Sequence, residues 1–239
     1  MRSLEGKVAL VTGAGRGIGK AVALSLAGSG SRLILAARTA VQLDEVREEI
    51  QRGGGSAAAV PTDLTRDEDI ENLVAESRRA YGSVDFLIND AGWGKRASVV
   101  RGKVEDLDQT LRVNLRAPML LAKYLVPAMI EKGGGAVINI GSVSGKSGEA
   151  GGAAYSASKF GLIGFTQSLY EEVREDGIKV AVILPGFVDT PMIPPVKHLD
   201  RSKMIQVDDV AQAVHYVLSS PPASCPVEIT IRPQRTPYR

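Results

Sequence analysis

The chain has 239 residues, of which 44% are hydrophobic and 23% are charged, a composition typical of one α/β domain or at most two small ones. Its net charge of +2 is too small to indicate a nucleic-acid or other polyanionic partner. The single cysteine, Cys225, excludes an internal disulfide and is typical of a reducing compartment.

Targeting and metal-binding signals are also missing from the sequence. No apolar run approaches the roughly 18 residues of a membrane span, and Glu5 and Lys7 interrupt the amino-terminal segment where a secretory signal would be apolar. Neither of the two histidines lies in a metal-ligand spacing. We therefore expect a cytoplasmic protein with no membrane partner and no metal.

Short apolar runs alternate with longer amphipathic segments along the chain. The runs are rich in Val, Ile and Leu, and the interior ones are apolar on both faces, as in parallel strands covered by helices. They lie at residues 7–12, 31–37, 55–61, 84–89, 135–142, 178–185 and 227–232. Helical patterns fill the intervals, among them residues 39–52, 66–82, 117–130 and 156–173. The alternation predicts a doubly wound α/β fold with about seven strands and helices on both faces, formed by residues 1–239 as a single domain.

The first predicted strand runs directly into the segment TGAGRGIG at residues 12–19. Gly13, Gly17 and Gly19, with Gly15 between them, lie where the strand must turn into a helix. Such a turn allows close approach of the backbone to a pyrophosphate, and the helix amino terminus offers unpaired N–H groups to it. A glycine pattern is weak evidence in a chain with 26 glycines, but its position after the first strand favours a dinucleotide site.

The end of the second predicted strand favours a dinucleotide with a 2′-phosphate. The chain reads LILAARTAVQLDE there, with no acid before Asp44 to bind free ribose hydroxyls and with Arg38 just past the strand. Arg16, inside the glycine turn, can approach the same phosphate from the other side. The alternative for Arg38 is a solvated loop position.

The segment GAAYSASKFG at residues 152–161 separates Tyr155 and Lys159 by one helical turn, which would put both on one face. The pair alone is weak evidence, and the small residues around it suit either a bound ligand or close helix packing. A lysine charge about 4 Å from the phenol would stabilise the phenolate by roughly 4 kcal/mol. We therefore expect a phenol pKa near 7, a value suited to proton exchange with an alcohol or a ketone.

A long segment without a strand pattern, residues 186–206, contains three prolines. A loop of about 20 residues inside a compact domain is often a lid or a binding loop, and an irregular surface connection is the alternative. We expect it to be a substrate loop. Four apolar residues suggest a pocket wall, three of them in this loop: Trp93, Met192, Ile193 and Val196.

Together these motifs resemble the short-chain dehydrogenase/reductases, in their compact single-domain branch. TGAGRGIG is similar to the family's TGxxxGxG, NDAG at residues 89–92 to its NNAG, and LPGFVDTPM at residues 184–192 to its PGxxxT segment. Ser142 precedes Tyr155 by a spacing close to the family's, and Asn114 stands where the family has an asparagine. The resemblance covers roughly residues 5–220. It implies a Rossmann-type fold, NADP(H) as cofactor, and interconversion of a ketone and a secondary alcohol.

The resemblance also implies roles for individual residues. The catalytic set is Asn114, which positions a water, Ser142, which holds the carbonyl oxygen, Tyr155, the acid or base, and Lys159, which also binds the nicotinamide ribose. The cofactor-binding residues implied are Gly13, Gly15, Arg16, Gly17, Ile18, Gly19, Arg38, Asp63, Leu64, Asn89, Ala91, Gly92, Tyr155, Lys159, Pro185, Gly186, Val188 and Thr190. Asp63 resembles the acid that meets the adenine. A homo-oligomer is expected, a tetramer before a dimer, assembled through the helices at 117–130 and 156–173.

The sequence departs from the family pattern at two places. Asp90 stands where the family usually has asparagine, which leaves the hydrogen bonding of that turn open. The carboxyl-terminal VEITIRPQRTPYR lacks the GQxxxVDGG ending of typical ketoacyl-carrier-protein reductases, which leaves the substrate open.

Two alternatives to a reductase of small carbonyl compounds therefore stand. One is reduction of an acyl thioester on an acidic carrier protein, whose basic rim would be formed by Lys95, Arg96, Arg101 and Lys103. The other is a non-catalytic NADP(H)-binding sensor, which would have no need of the complete catalytic set.

Overall fold

A computed structural model describes residues 3–193 and 198–238. Seven parallel strands form one sheet in the order β3-β2-β1-β4-β5-β6-β7, which confirms the predicted doubly wound α/β fold. The strands are β1 (Val8–Thr12), β2 (Arg32–Ala37), β3 (Ser56–Pro61), β4 (Phe86–Asn89), β5 (Gly135–Ile140), β6 (Ile178–Pro185) and β7 (Glu228–Ile231).

Within residues 3–193 and 198–238, seven α-helices connect the strands, and each of the four predicted helical segments is one of them. They are α1 (Gly17–Gly28), α2 (Ala40–Arg52), α3 (Asp67–Tyr81), α4 (Val104–Leu111), α5 (Ala117–Glu131), α6 (Ala153–Val173) and α7 (Val207–Ser219). A one-turn π-helix, Arg112–Arg116, joins α4 to α5. Within the described ranges, no helix has the length and apolarity to cross a bilayer.

The sheet is buried on both faces because its strands alternate side chains between two apolar cores. In β1, Ala9 and Val11 pack in the core formed with α1, α2 and α7. Val8 and Leu10, the neighbours that point to the opposite face, pack in the core formed with α3, α5 and α6. This two-sided burial explains why the central strands read as continuous apolar runs rather than as alternating ones.

The carboxyl ends of the central strands meet at one edge of the sheet. Thr12 at the end of β1 is level with Asn89 at the end of β4, and Asn89 is level with Asn139 in β5. The chain passes outward from β1 to β3 and returns to β4 on the other side of β1, which makes this edge the switch point where open α/β sheets bind ligands. β5 ends at Ile140, so Ser142 lies just beyond the strand rather than within it.

The predicted substrate loop, residues 186–206, has little regular structure among the residues that are described. It contains a turn of 3₁₀-helix at Arg201–Lys203 and an isolated bridge between Val188 and Ile205. The Arg201 guanidinium donates to the Asp189 carboxylate at 2.7 Å and to the Thr190 carbonyl at 2.9 Å, which closes the loop on itself. Val196, predicted to form part of a pocket wall, lies outside the described residues.

The carboxyl-terminal segment after β7 packs against this loop. Leu199 pairs with Tyr238 in an antiparallel bridge, and the Asp200 N–H donates to the Pro237 carbonyl at 2.7 Å. The Phe187 and Tyr238 rings meet edge to face with centroids 5.3 Å apart. The loop is therefore fixed from outside by residues more than thirty positions later in the chain.

Candidate active site

The glycine turn has the conformation that its sequence predicts. Gly13 and Gly17 have φ values of +70° and +61°, a region that disfavours residues with a Cβ. A Cβ on Gly19 would overlap the Gly13 carbonyl, so a larger residue there would separate helix α1 from the turn. Arg16 precedes α1 without a side-chain cap, and the first turn has no acidic residue. Apart from the Gly19 N–H, which bonds the Asp90 carboxyl, the first N–H groups of α1 are thus available to an anion.

A cavity of about 190 Å³ lies beside this turn. Of the predicted cofactor-binding residues it is lined by Gly13, Gly15, Arg16, Arg38, Asp63, Leu64, Ala91 and Gly92. Both arginines are exposed at its edge, which leaves their guanidinium groups free to meet a ligand. Thr39 and Gln42 also line the cavity and were not predicted from the sequence. Trp93 was predicted to form part of an apolar pocket wall, but it lines this polar cavity instead.

Asp63 is held as a carboxylate at one side of the cavity. Burial opposes its ionisation, but two hydrogen bonds from Thr65 and the charges of Arg38 and Arg66 outweigh burial and lower the pKa of Asp63 below its usual value. The Thr65 N–H and hydroxyl donate to one carboxylate oxygen at 3.0 and 2.8 Å. The other side of Asp63 remains able to accept a hydrogen bond from a ligand.

The segment NDAG is fastened to the end of β1 by Thr12. The Thr12 hydroxyl oxygen accepts from the N–H groups of Asp90 and Ala91, each at 3.1 Å. Asn89 is fully buried and donates to the Asn139 side chain at 2.8 Å, so it ties β4 to β5 rather than facing either cavity. Thr12 was not among the predicted site residues, although its place directly before the glycine turn is a usable signal.

A second cavity, of about 310 Å³, continues along the carboxyl edge of the sheet and shares Gly92 with the first. We call it the reaction cleft. Nine predicted site residues line it: Ile18, Gly92, Ser142, Tyr155, Lys159, Pro185, Gly186, Val188 and Thr190. Met192 and Ile193 from the substrate loop form an apolar wall as expected, together with Phe187, which the sequence analysis missed.

Tyr155 and Lys159 lie one turn apart on helix α6 and both face the reaction cleft. The Lys159 ammonium is 5.8 Å from the centre of the Tyr155 ring and donates to the Ile140 carbonyl at 2.7 Å. Ser142 is a hydrogen-bond partner of the Tyr155 phenol. The ring packs against Gly94, where a Cβ would come within 2.8 Å of a ring carbon. Of the small residues around the pair, Gly152 and Ser156 line the cleft and Gly161 packs against Leu115.

The expectation of a phenol pKa near 7 is wrong for this structure. Burial raises the pKa of Tyr155 above its usual value, the Ser142 hydrogen bond opposes the increase, and the charge of Asp90 adds to it. The Lys159 ammonium, 5.8 Å from the centre of the ring, does not lower this pKa enough to offset burial. The phenol is consequently held in its protonated form at neutral pH.

Asn114 lies in the π-helical turn and is 1% exposed. Its side-chain oxygen accepts from the Trp93 N–H at 2.8 Å, and its amide donates to the Trp93 carbonyl at 2.8 Å and to the Ser158 hydroxyl at 3.0 Å. Asn114 thus joins the turn after β4 to helix α6. It lines neither cavity, as is also true of Asn89, Gly17 and Gly19.

Two ionisable groups of opposite charge line the reaction cleft: Lys159, which is buried, and Asp90, which is half-buried. Burial raises the pKa of Asp90 to about 7, against the opposing effects of Lys159 and the Gly19 N–H. Burial lowers the pKa of Lys159 to about 8, and Asp90 opposes that decrease. Among the described residues there is no group of three or more His, Cys, Asp or Glu side chains that could hold a metal.

Known proteins were compared with the chain as a whole. The family model for short chain dehydrogenases matches residues 7–200. The chain belongs to the short-chain dehydrogenase family. An uncharacterized oxidoreductase of Staphylococcus aureus (strain MRSA252) is 36% identical over 233 residues, which are 98% of this chain and 100% of the relative. A human 3-oxoacyl-[acyl-carrier-protein] reductase is 38% identical over 221 residues, 90% of this chain and 92% of the relative.

A solved structure supports the same family membership. The crystal structure of a metagenomic short-chain oxidoreductase in complex with NADP matches with a TM-score of 0.86 and 36% identity, over 98% of this chain and 100% of that one. The resemblance to short-chain dehydrogenases drawn from the sequence is therefore confirmed, as is the assignment of the chain to a family of oxidoreductases.

Proposed function

We propose that this short-chain dehydrogenase uses NADP(H) to interconvert a ketone and a secondary alcohol, with Tyr155 as the acid or base. The observation that carries the proposal is the convergence of Ser142, Tyr155 and Lys159 on one wall of the reaction cleft, which continues into the cavity at the glycine turn. A binding sensor would have no use for a phenol and a buried ammonium arranged in this way.

The described residues fit NADP(H) at both ends. The uncapped amino terminus of α1 suits a pyrophosphate, and Arg16 and Arg38 at the edge of the smaller cavity suit a 2′-phosphate. Asp63 suits an adenine, and Lys159 lies where a ribose hydroxyl would meet the reaction cleft. The relative solved with NADP supports this choice of cofactor. When bound, NADP(H) supplies or accepts the hydride at the carbonyl carbon.

The protein's own part in the reaction is the movement of a proton at the carbonyl oxygen. Ser142 donates a hydrogen bond to that oxygen and holds it beside the Tyr155 hydroxyl. As the carbonyl is reduced, the proton of Tyr155 Oη passes to the oxygen, which becomes the alcohol, and the phenolate that remains is stabilised by the Lys159 ammonium. Because Tyr155 is protonated at neutral pH, it is in the form that acts as the acid in the reductive direction.

The apolar side of the reaction cleft suits a substrate with a hydrophobic part next to its carbonyl. Phe187, Met192 and Ile193 of the substrate loop face the catalytic wall and would cover such a group. Removing water from the site strengthens the interactions that stabilise the developing charge on the carbonyl oxygen.

An acyl thioester on a carrier protein is the second candidate substrate. The human relative carries that activity in its name, and Lys95 and Arg96 line the mouth of the cleft. Both are engaged in exposed ion pairs, Lys95 with Asp106 at 2.9 Å and Arg96 with Glu149 at 3.5 Å. Lys95 and Arg96 would have to leave these ion pairs to bind the acidic groups of a carrier protein. A free small carbonyl compound is therefore the substrate that we propose first.

The test measures NADPH consumption across ketones, ketoesters, diketones and ketoacyl thioesters, followed by variants with the best substrate. Tyr155→Phe should keep its affinity for NADPH and lose at least about 100-fold in kcat. Lys159→Met should lose both, and Tyr216→Phe, which alters an exposed phenol on α7, should lose neither. Activity of Tyr155→Phe close to that of the wild type would show that another group supplies the proton.

A further inference from the structure

The carboxyl group of Asp90 lies between the glycine turn and the pair formed by Tyr155 and Lys159. Its side-chain oxygen lies 3.1 Å from where a Cβ on Gly13 would be and 2.8 Å from where one on Gly19 would be, so it is wedged into the turn. It also lines the reaction cleft together with Tyr155 and Lys159. No step of the proposed reaction uses it.

Few groups balance a negative charge at this position. Helix α1 presents the Gly19 N–H, and helix α6 presents Lys159 and Tyr155. The Thr12 hydroxyl is committed to the Asp90 backbone rather than to its carboxyl. No direct ion pair joins Asp90 to Lys159 among the described contacts, so the carboxylate has only a partial counter-charge. Burial accordingly raises the pKa of Asp90 to about 7, within the range in which the enzyme works.

We propose that Asp90 is a proton-linked positioning residue that sets the affinity of the cleft for NADP(H). In its neutral form, Asp90 has the shape and charge of the asparagine that the family usually has there, and the turn accepts the cofactor. In its ionised form, it opposes the cofactor's phosphates. The inference rests on the proposed use of NADP(H).

The opposition has a direct physical basis. The amino terminus of α1 would hold the pyrophosphate through its N–H groups and its positive dipole end. A carboxylate that faces the Gly19 N–H takes up part of that same positive potential and adds its own repulsion of the phosphates. The ionised form of Asp90 also disfavours the Tyr155 phenolate that proton donation would leave.

The expected size follows from the fraction of protein in the neutral form. If only that form binds, the apparent Kd equals the intrinsic Kd divided by the neutral fraction. With a pKa of about 7, almost all of the protein is competent at pH 6, and about one tenth is competent at pH 8. Asp90 should therefore weaken NADPH binding about tenfold between these two values.

The experiment measures the Kd of NADPH by fluorescence, without substrate, for wild type, Asp90→Asn and Asp176→Asn. Asp176 is an exposed acid before β6, at the opposite edge of the sheet, and serves as the matched control. The ratio of wild-type Kd to Asp90→Asn Kd should be near one at pH 6 and near ten at pH 8. The cofactor phosphate titrates in every protein and cancels in the ratio, which therefore reports Asp90 together with its effect on the pKa of Lys159.

A second readout is the number of protons taken up on binding, obtained by calorimetry at pH 7.5 in buffers of different ionisation enthalpy. Wild type and Asp176→Asn should take up more protons than Asp90→Asn. If Asp90→Asn does not fold, Asp90→Ser, which is also neutral, makes the same comparison. A Kd ratio near one at both pH values, together with equal proton uptake by wild type and Asp90→Asn, would overturn this inference alone. Absence of NADPH binding to the wild type at pH 6 would overturn the proposed function with it.

Discussion

Replacing Arg38 tests the cofactor preference at its most exposed contact. Arg38 lies at the edge of the smaller cavity, where it faces Asp63 and contributes to the low pKa of that carboxyl. A charge-assisted hydrogen bond to a 2′-phosphate is worth about 1.5–3 kcal/mol, equivalent to about 10- to 150-fold in affinity. Arg38 is exposed, and part of its charge is balanced by Asp63. We therefore expect Arg38→Ala to weaken NADPH binding by about tenfold, at the lower end of this range.

The assay is kcat/KM for NADPH and NADH with one carbonyl substrate, in wild type, Arg38→Ala and Arg52→Ala. Arg52 is an exposed arginine at the far end of α2 and should change neither value. NADH lacks the phosphate and should respond little to Arg38→Ala. Adding Ala37→Asp places a carboxylate on the same cavity wall and should move the preference further toward NADH. A wild type that prefers NADH, or a ratio that Arg38→Ala leaves unchanged, would refute the reasoning.

Three further predictions concern the site, stability and assembly. Gly94→Ala would bring a Cβ within 2.8 Å of the Tyr155 ring and should lower kcat by about 10- to 100-fold, whereas Gly148→Ala, which meets nothing within 4 Å, should not. Asp85 is a buried acid, and burial alone would raise its pKa. Hydrogen bonds from Lys132 and the Val8 N–H, together with the charges of Lys132 and Lys7, outweigh burial and lower the pKa of Asp85 below 3.8. The ionised Asp85 carboxyl therefore stabilises the fold above pH 3.8, and this stabilisation is lost as the pH falls through the lower pKa of the folded state. In urea unfolding, Asp85→Asn should be less stable than the wild type by about 1–3 kcal/mol at pH 7, and the difference should shrink in acid. Met119 on α5 and Phe160 on α6 are large apolar side chains that are 44% and 48% exposed. We expect these helices to be covered in a homo-oligomer, with a tetramer expected before a dimer. A monomeric mass by light scattering at micromolar concentration would contradict this.

The sheet could be predicted from the sequence because its central strands are buried on both faces, and the apolar runs are bounded by Gly, Asp or Pro. The glycine turn, Tyr155 and Lys159 could be placed because their spacing along the chain is the spacing of a turn or of a helix. Each of these features depends on neighbours in sequence, and the structure agrees with them to within a few residues.

Other features depend on elements that are distant in sequence. The orientation of Asn114 toward the Trp93 backbone depends on a π-helical turn, and the pKa of Tyr155 depends on burial, on the Ser142 hydrogen bond and on the charge of Asp90. The sequence marked Asp90 only as a departure from a motif. That its carboxyl lies between the glycine turn and Lys159 follows from the meeting of β1, β4 and α6, which no local pattern encodes.

The bridge between Leu199 and Tyr238 makes the shape of the substrate loop depend on the last residues described. Phe187 belongs to the apolar wall of the reaction cleft and also packs against Tyr238. On the proposed function, a change in residues 232–238 is therefore expected to act on substrate range through Phe187 and to leave Ser142, Tyr155 and Lys159 in place. Substrate range and catalytic power would then depend on separate stretches of the described chain, and one could be altered by selection or by an experimenter without rebuilding the other.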